Sequence, residues 1–326
     1  MSFENIQNLK VIAEEDFETE IFKIEDELSS IKSLGTFTAF DGTTLYYEYF
    51  LKKENNKNLV IVHGLSEFIN KFYEFIYYCL NLGYNVFIYD QRCHGLSSRL
   101  TTERDLLHVD KFSDYIADLK QFIDQIVTKV SDEPTYLFAH SMGGAIAAFY
   151  LAENTQKIER AVLSAPMFRP TVTVVPFKIA RAGIGIARHF YGNKSKFLLS
   201  KEFNPEVKYK EDPYTSKARF IHHLNMRREN ENYQTTPMSF GWTYNSLIID
   251  KKILSKSVAG KIKTPILLFS AENDTVVENE PQYKFSNKCN NCRLVNIEGA
   301  THALLASNDE TLKKVLDLTF SFFEEN

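Results

Sequence analysis

The sequence predicts an α/β protein: a mostly parallel central sheet with helices on both faces and a helical cap inserted late in the chain. Three observations predict it. Short apolar runs at 59–62, 84–89, 135–139 and 161–165 alternate with stretches of helical periodicity, the pattern of strands buried on both faces. One run ends in His140-Ser141-Met142-Gly143-Gly144, where β-branched and aromatic residues give way at once to small ones. The alternation then stops at Pro166 and resumes only at Pro265.

Taken in order, residues 1–33 mix acidic side chains with spaced apolar ones such as Phe17, Ile21, Ile24, Leu28 and Ile31, and read as a helical leader packed on the core. Two strand-like runs follow, 36–40 and 43–50, around a hairpin signal at Asp41-Gly42. The strand at 59–62 ends in His63-Gly64-Leu65. Helical spacing runs over 68–82 and stops at Gly83. The strand at 84–89 leads into a polar loop, Asp90 to Ser97, whose simplest reading is an Asp90–Arg92 pair holding the loop. Apolar positions from Phe112 to Val130 recur at helical spacing. Beyond the gap come strands at 265–271 and 294–297 and a closing amphipathic helix over 304–323. This divides the chain into a core, 34–165 and 263–326, and a cap, 166–262.

The strand–turn–helix at Ser141 is the setting in which a serine hydroxyl projects from a strained turn at a helix N-terminus. A serine that merely caps its helix would look similar in isolation. Two later residues decide between them. Asp274 lies three residues past the strand that ends at Ala271, and His302 lies in the loop after the last strand. Serine, aspartate and histidine thus fall in that order at ends of strands on one sheet edge. The expected roles are Ser141 as nucleophile, His302 as general base and acid, and Asp274 as the group that orients the imidazole. The amides of Leu65 and Met142 are the expected oxyanion donors. Glu272 is the rival to Asp274, but it sits closer to its strand.

On these residues the chain resembles an α/β-hydrolase of the monoacylglycerol lipase and bacterial lysophospholipase group. The resemblance rests on His63-Gly64, the Asp90-Gln91-Arg92-Cys93-His94-Gly95-Leu96-Ser97 loop, the Ser141 turn, Glu272-Asn273-Asp274 and Gly299-Ala300-Thr301-His302. Asp212-Pro213-Tyr214 and Phe240-Gly241-Trp242-Thr243 resemble the lysophospholipase branch in particular. Ala139 and Cys93 stand where the family usually has glycine. The resemblance implies a serine hydrolase of a lipid-like ester, a lysophospholipid or a monoacylglycerol, acting through an acyl-enzyme without a cofactor. A peptidase, amidase or small-ester carboxylesterase on the same triad is the alternative, followed by an acyltransferase or a non-catalytic binding module.

Composition narrows the partners. A net charge of −4 without a basic, aromatic-rich patch argues against nucleic acid. Four cysteines in 326 residues fit a reduced compartment, and Cys289-Asn290-Asn291-Cys292 reads as two loop thiols. No basic leader with an apolar run and no long uncharged apolar stretch is present, so the expectation is a cytoplasmic protein, with peripheral contact at the inner membrane face through the cap. Within the cap, Phe240 and Trp242 are candidate walls of an acyl channel. Arg227 and Arg228 are candidates for a headgroup, and His63 for a site contact, although a loop-ordering role is preferred for it. The apolar segment 174–190 reads as a helix packed on the core or lying at a membrane interface, with the first favoured. His222-His223 is a poor metal pair, and no metal site is expected.

Overall fold

The computed structural model describes residues 10–154 and 156–325. Eight strands form one sheet in the order β1-β2-β4-β3-β5-β6-β7-β8. They are β1 Lys32–Thr38, β2 Thr44–Phe50, β3 Lys57–Val62, β4 Tyr84–Tyr89, β5 Thr135–His140, β6 Ala161–Ser164, β7 Ile266–Ala271 and β8 Cys292–Ile297. β1 and β2 are antiparallel to their neighbours, and every pairing from β4 through β8 is parallel.

The central strands read as unbroken apolar runs because both faces are covered. Val60 and Val62 of β3, Phe87 and Tyr89 of β4, and Leu137 and Ala139 of β5 face one cluster, with α3 (Phe112–Phe122), α4 (Met142–Glu153) and α9 (Asn279–Ser286). Leu59 and Ile61, Val86 and Ile88, and Phe138 face the other, beneath α1 (Phe17–Ile31), α2 (Tyr73–Asn81) and α10 (Asp309–Phe323). Each fully buried side chain of this size contributes about 1.5–3 kcal/mol, so the two clusters hold the sheet edge that carries the site.

Boundaries differ from the sequence expectation where local chemistry intervenes. The first nine residues of the expected leader lie outside the described residues. The hairpin is not a two-residue turn: its last strand pair is Thr38–Thr44, and Asp41 instead accepts the Thr43 amide in a wider turn with Gly42 at φ 87°. The helix expected over 68–82 begins as a 3₁₀ turn, Ile69–Phe72, before α2. α3 runs on through a π-helical turn, Ile123–Val127.

Between β6 and β7 lie α5 (Phe177–Tyr191), α6 (Lys217–Glu229), α7 (Phe240–Ser246) and α8 (Ile249–Ile253). α6 is fixed to the core by the fully buried Arg219. α5 is different. Ala180 is its single buried residue, while Ile179, Ile186 and Phe190 are 60%, 62% and 83% exposed. Its contact is with α7, where Arg188 stacks on Tyr244 at 3.8 Å. The favoured reading of 174–190 as a helix packed on the core therefore needs correction: one side is seated on α7, and the apolar remainder faces outward. No helix among the described residues is long and apolar enough to cross a membrane.

Candidate active site

Ser141 occupies a strained turn between β5 and α4. Its φ is 52° and its ψ −117°, a conformation that costs about 1–3 kcal/mol for a residue with a side chain. The surroundings over-determine it. Its amide donates to the Ser164 carbonyl at 3.0 Å, and its own carbonyl accepts from Met167 at 2.8 Å and Gly144 at 2.9 Å. The small residues after it are required by approach, since a Cβ on Gly143 would stand 2.1 Å from the Val62 carbonyl oxygen. Ala139, where a glycine was expected, is fully buried in β5 between Val62 and Leu163, so its methyl is accommodated.

The structure brings the three expected residues together. His302 Nε2 lies 2.8 Å from Ser141 Oγ, and His302 Nδ1 lies 2.7 Å from Asp274 Oδ2. Asp274 has a fully buried side chain, and its Oδ1 accepts from the Val276 and Val277 amides at 2.8 and 2.9 Å. Glu272, the rival, accepts the Gly299 amide at 2.7 Å and thereby holds the loop that carries His302.

The expected oxyanion amides sit on either side of this serine. Met142 opens α4, and Leu65 follows Gly64, where an added Cβ would stand 3.0 Å from Ser141 Cβ. Among the described residues neither amide has a hydrogen-bond acceptor. Sequence reasoning missed what orders the Leu65 loop. Glu67 Oε2 accepts the Gly64 amide at 2.6 Å, and Lys71 Nζ meets Glu67 Oε1 at 2.6 Å. Burial alone would raise the Glu67 carboxyl, but Lys71, His140 and the Gly64 amide hold it well below the usual carboxylate range. The i,i+4 spacing of Glu67 and Lys71 on a helix entry was the available signal.

Other candidates are displaced from the site. His63 is fully buried: Nε2 accepts from the Gln91 amide at 3.0 Å and Nδ1 faces the Gly64 carbonyl at 2.8 Å. It is enclosed and orders the loop. Trp242, 3% exposed, packs in the core cluster, and Phe240 stacks on Tyr191 at 5.3 Å, so neither lines a cavity beside Ser141. Arg228 is exposed and donates to the Pro205 carbonyl at 2.7 Å. Asp90 does not pair with Arg92. It accepts the Ile69 and Leu96 amides, while Arg92 forks onto Asp118 and also reaches Asp41. Cys93, the other departure from glycine, takes φ 63°, which explains why glycine suits that position. His222 meets Glu25 at 3.0 Å. In a second Asp–His–Ser series, Asp110–His108–Ser239, the histidine and serine are fully buried while Asp110 is exposed, and Ser239 Oγ already accepts the Trp242 amide as the cap of α7.

Arg227 is the exception among these candidates. It lines a cavity of about 330 Å³ whose wall includes Ser66 and Ala303, the neighbours of Leu65 and His302. Phe68, Phe203, Phe220 and Leu224 make much of that wall apolar.

Two histidines beside the site are held neutral. Burial depresses His63 and His140 to about 4. With both lowered from the ordinary 6.5, the unfolded chain takes up protons first as pH falls. Well above 6.5 both states are neutral and nothing is lost; as pH falls from 6.5 to 4 stability drops by about 3 kcal/mol for each ring. Imidazole C–H resonances of His63 and His140 are expected to titrate near pH 4; midpoints above 6 would show that these rings are open to water.

An eight-stranded, mostly parallel sheet with a strained serine at the end of its fifth strand, followed in order by Asp and His, defines an α/β-hydrolase. A model of the family described as serine aminopeptidase, S33, matches residues 53–310, and the chain belongs to that family. Lysophospholipase L2 of Escherichia coli (strain K12) is 27% identical over 298 residues, which cover 89% of this chain and 87% of that protein. The monoglyceride lipase homolog of Monkeypox virus is 24% identical over 282 residues, 85% of this chain and 92% of that protein. Among solved structures, a soluble variant of monoglyceride lipase from Saccharomyces cerevisiae, in complex with a substrate analog, superposes with a TM-score of 0.73. It is 17% identical and covers 90% of this chain and 95% of its own.

Proposed function

We propose that the chain cleaves a carboxylic ester of a lipid-like substrate, a lysophospholipid or a monoacylglycerol, through a covalent acyl-enzyme. It is a carboxylic ester hydrolase. The observation that carries the reading is the unbroken hydrogen-bonded series Asp274–His302–Ser141 next to an apolar-walled cavity.

In this reading Ser141 Oγ attacks the acyl carbon while His302 Nε2 takes its proton. The Leu65 and Met142 amides receive the developing oxyanion, each worth about 3 kcal/mol of barrier. His302 then protonates the leaving alcohol, a water enters, and the same imidazole activates it to release the acid. Asp274 keeps the Nδ1 proton in place and stabilises the imidazolium. No step calls for a cofactor. The lipid substrate is supported by the relatives named lysophospholipase and monoglyceride lipase. An aminopeptidase, the activity the family description names, must hold a free ammonium group. The carboxylate on the cavity wall, Glu202, is already ion-paired with Lys196.

Release of fatty acid from lysophosphatidylcholine and from monoacylglycerol tests this, with fluorophosphonate-treated protein as the blank. Release from either supports it. Cleavage of p-nitrophenyl butyrate alone would leave a small-ester carboxylesterase, and failure of the fluorophosphonate to label would sink the serine mechanism.

Peripheral membrane contact from a cytoplasmic location belongs to the same proposal. Between Glu159 and Glu202 the chain has no acidic residue but has Arg160, Arg169, Lys178, Arg181, Arg188, Lys194, Lys196 and Lys201. The exposed apolar side of α5 lies in this basic stretch, and that combination suits an anionic lipid surface. Phe190→Glu is expected to reduce co-sedimentation with phosphatidylglycerol vesicles at least several-fold; equal partition would remove α5 from the contact.

A further inference from the structure

We infer that Arg227 reads an anion in the cavity walled by Ser66 and Ala303, the neighbours of Leu65 and His302, and that this anion is a phosphate carried by the ester substrate. The inference rests on the ester-hydrolase reading above and narrows it to phosphate-bearing esters.

The argument starts from a missing counter-ion. Arg227 lies in the last turn of α6, on the wall of the cavity of about 330 Å³. Its guanidinium is stacked on Phe203 at 4.4 Å. Nε donates to the Tyr233 carbonyl at 2.9 Å, and Nη2 to Thr236 Oγ1 at 2.5 Å and the Thr235 carbonyl at 3.4 Å. All three acceptors are neutral. Among the described residues no carboxylate pairs with Arg227, and Nη1 has no acceptor.

Three other enclosed arginines are treated differently. Arg92 meets Asp118 and Asp41, Arg219 meets Glu74 and Asp309, and Arg169 meets Asp250 and Glu278. Arg99 lacks a carboxylate too, but its three nitrogens are all spent on the carbonyls of Gly95, Ser97, Arg104 and Asn232. Among the described residues Arg188 on α5 also lacks a carboxylate and has a buried, unpaired Nε, but it stacks on Tyr244 and does not line this cavity, whereas Arg227 lines it and keeps Nη1 without an acceptor.

The charges facing the cavity leave it positive. Lys71 is matched by Glu67 and Glu202 by Lys196, so Arg227 is the surplus. Burial lowers its pKa to about 10, which still leaves it charged at neutral pH. A half-buried guanidinium without a partner is costly, and a ligand oxyanion offsets that cost. Phosphate suits it, because a planar guanidinium already fixed by its neighbours loses little freedom on binding a second acceptor. The walls at Phe68, Phe203, Phe220 and Leu224 suit the hydrocarbon of an amphiphile rather than a free inorganic ion.

The plain structural alternative is that Arg227 only staples the turn at Tyr233–Thr236, and the experiment separates the two. kcat/KM is measured for lauroyl lysophosphatidate and for monolauroylglycerol in the wild type, Arg227→Gln and Arg227→Lys. Inhibition of p-nitrophenyl butyrate hydrolysis by dodecyl phosphate, dodecanol and inorganic phosphate is measured alongside. In Arg227→Gln the ratio of phosphate to neutral substrate should fall about 10- to 100-fold, chiefly through KM. Arg227→Lys should recover part of it. Dodecyl phosphate should inhibit the wild type more strongly than dodecanol, and Arg227→Gln less.

An unchanged ratio, or equal inhibition of wild type and variant, overturns the inference while the ester-hydrolase reading stands. Inhibition by inorganic phosphate as strong as by dodecyl phosphate overturns the assignment to the substrate. If neither lipid is cleaved but dodecyl phosphate still inhibits through Arg227, the anion site stands and the lipid-ester reading fails. Should Arg227→Gln not fold, the comparison of dodecyl phosphate with dodecanol on the wild type, and Arg227→Lys, decide it.

Discussion

Ser141→Ala is expected to lower ester turnover by about 10³- to 10⁶-fold while leaving thermal stability within about 1 kcal/mol of the parent. The activity loss follows from the geometry, since the Oγ 2.8 Å from His302 Nε2 is the hydroxyl positioned to receive the acyl group. The stability result follows from the backbone. Alanine keeps the strained φ of 52°, and the hydrogen bonds that impose it run through the Ser141 amide and carbonyl, not the side chain. Ser141→Gly should be equally inactive but more stable by about 1 kcal/mol, because glycine adopts that conformation freely. His302→Ala should match Ser141→Ala, and the double variant should lose little more, since the two act as one unit. Asp274→Asn should cost about 10⁴-fold in kcat through the wrong imidazole tautomer. Retention of more than a few per cent of turnover by pure Ser141→Ala would remove this serine from the chemistry.

The parts of this site that could be read from the sequence depend on backbone and chain order. Gly143 has no room for a Cβ, so the small residues after Ser141 were a genuine signature. β5, β7 and β8 pair in parallel within the sheet, so their apolar runs pointed to where Ser141, Asp274 and His302 would emerge. What could not be read is which long side chains meet across the fold. Phe240-Gly241-Trp242 looked like a channel wall, but tertiary packing draws Trp242 into the core cluster and Phe240 against Tyr191 of α5. Arg227 and Arg228 are adjacent and chemically identical, yet one lines the cavity and the other faces the Pro205 carbonyl, because neighbours on a helix point about 100° apart. Asp90 and Arg92 are close in sequence and opposite in charge, but Arg92 found a better bidentate partner in Asp118, on α3.

The second large effect is expected far from the chemistry. Arg219→Met should destabilise the protein by about 3–5 kcal/mol, read as a fall in the urea midpoint. Arg219 is fully buried on α6. Its Nε and Nη2 grip both oxygens of Glu74 on α2 at 2.9 and 2.7 Å, and Nη1 reaches Asp309 at the start of α10 at 3.0 Å. Nη2 also donates to the Ile12 carbonyl, and the guanidinium lies over Phe17 at 4.9 Å. One side chain thus ties α6 to α1, α2, α10 and the segment at Ile12. Methionine keeps the bulk but strands the Glu74 carboxylate in the interior, with Tyr78 as its remaining donor. That stranded charge, not lost packing, is the dominant cost. Arg219→Met combined with Glu74→Gln should therefore be more stable than Arg219→Met alone. A single-variant loss below about 1 kcal/mol would show that the cluster is hydrated and contributes little. The same ties seat α6 on the core, and Arg227 lies about two turns further along that helix, whereas α5 has Ala180 as its one buried residue.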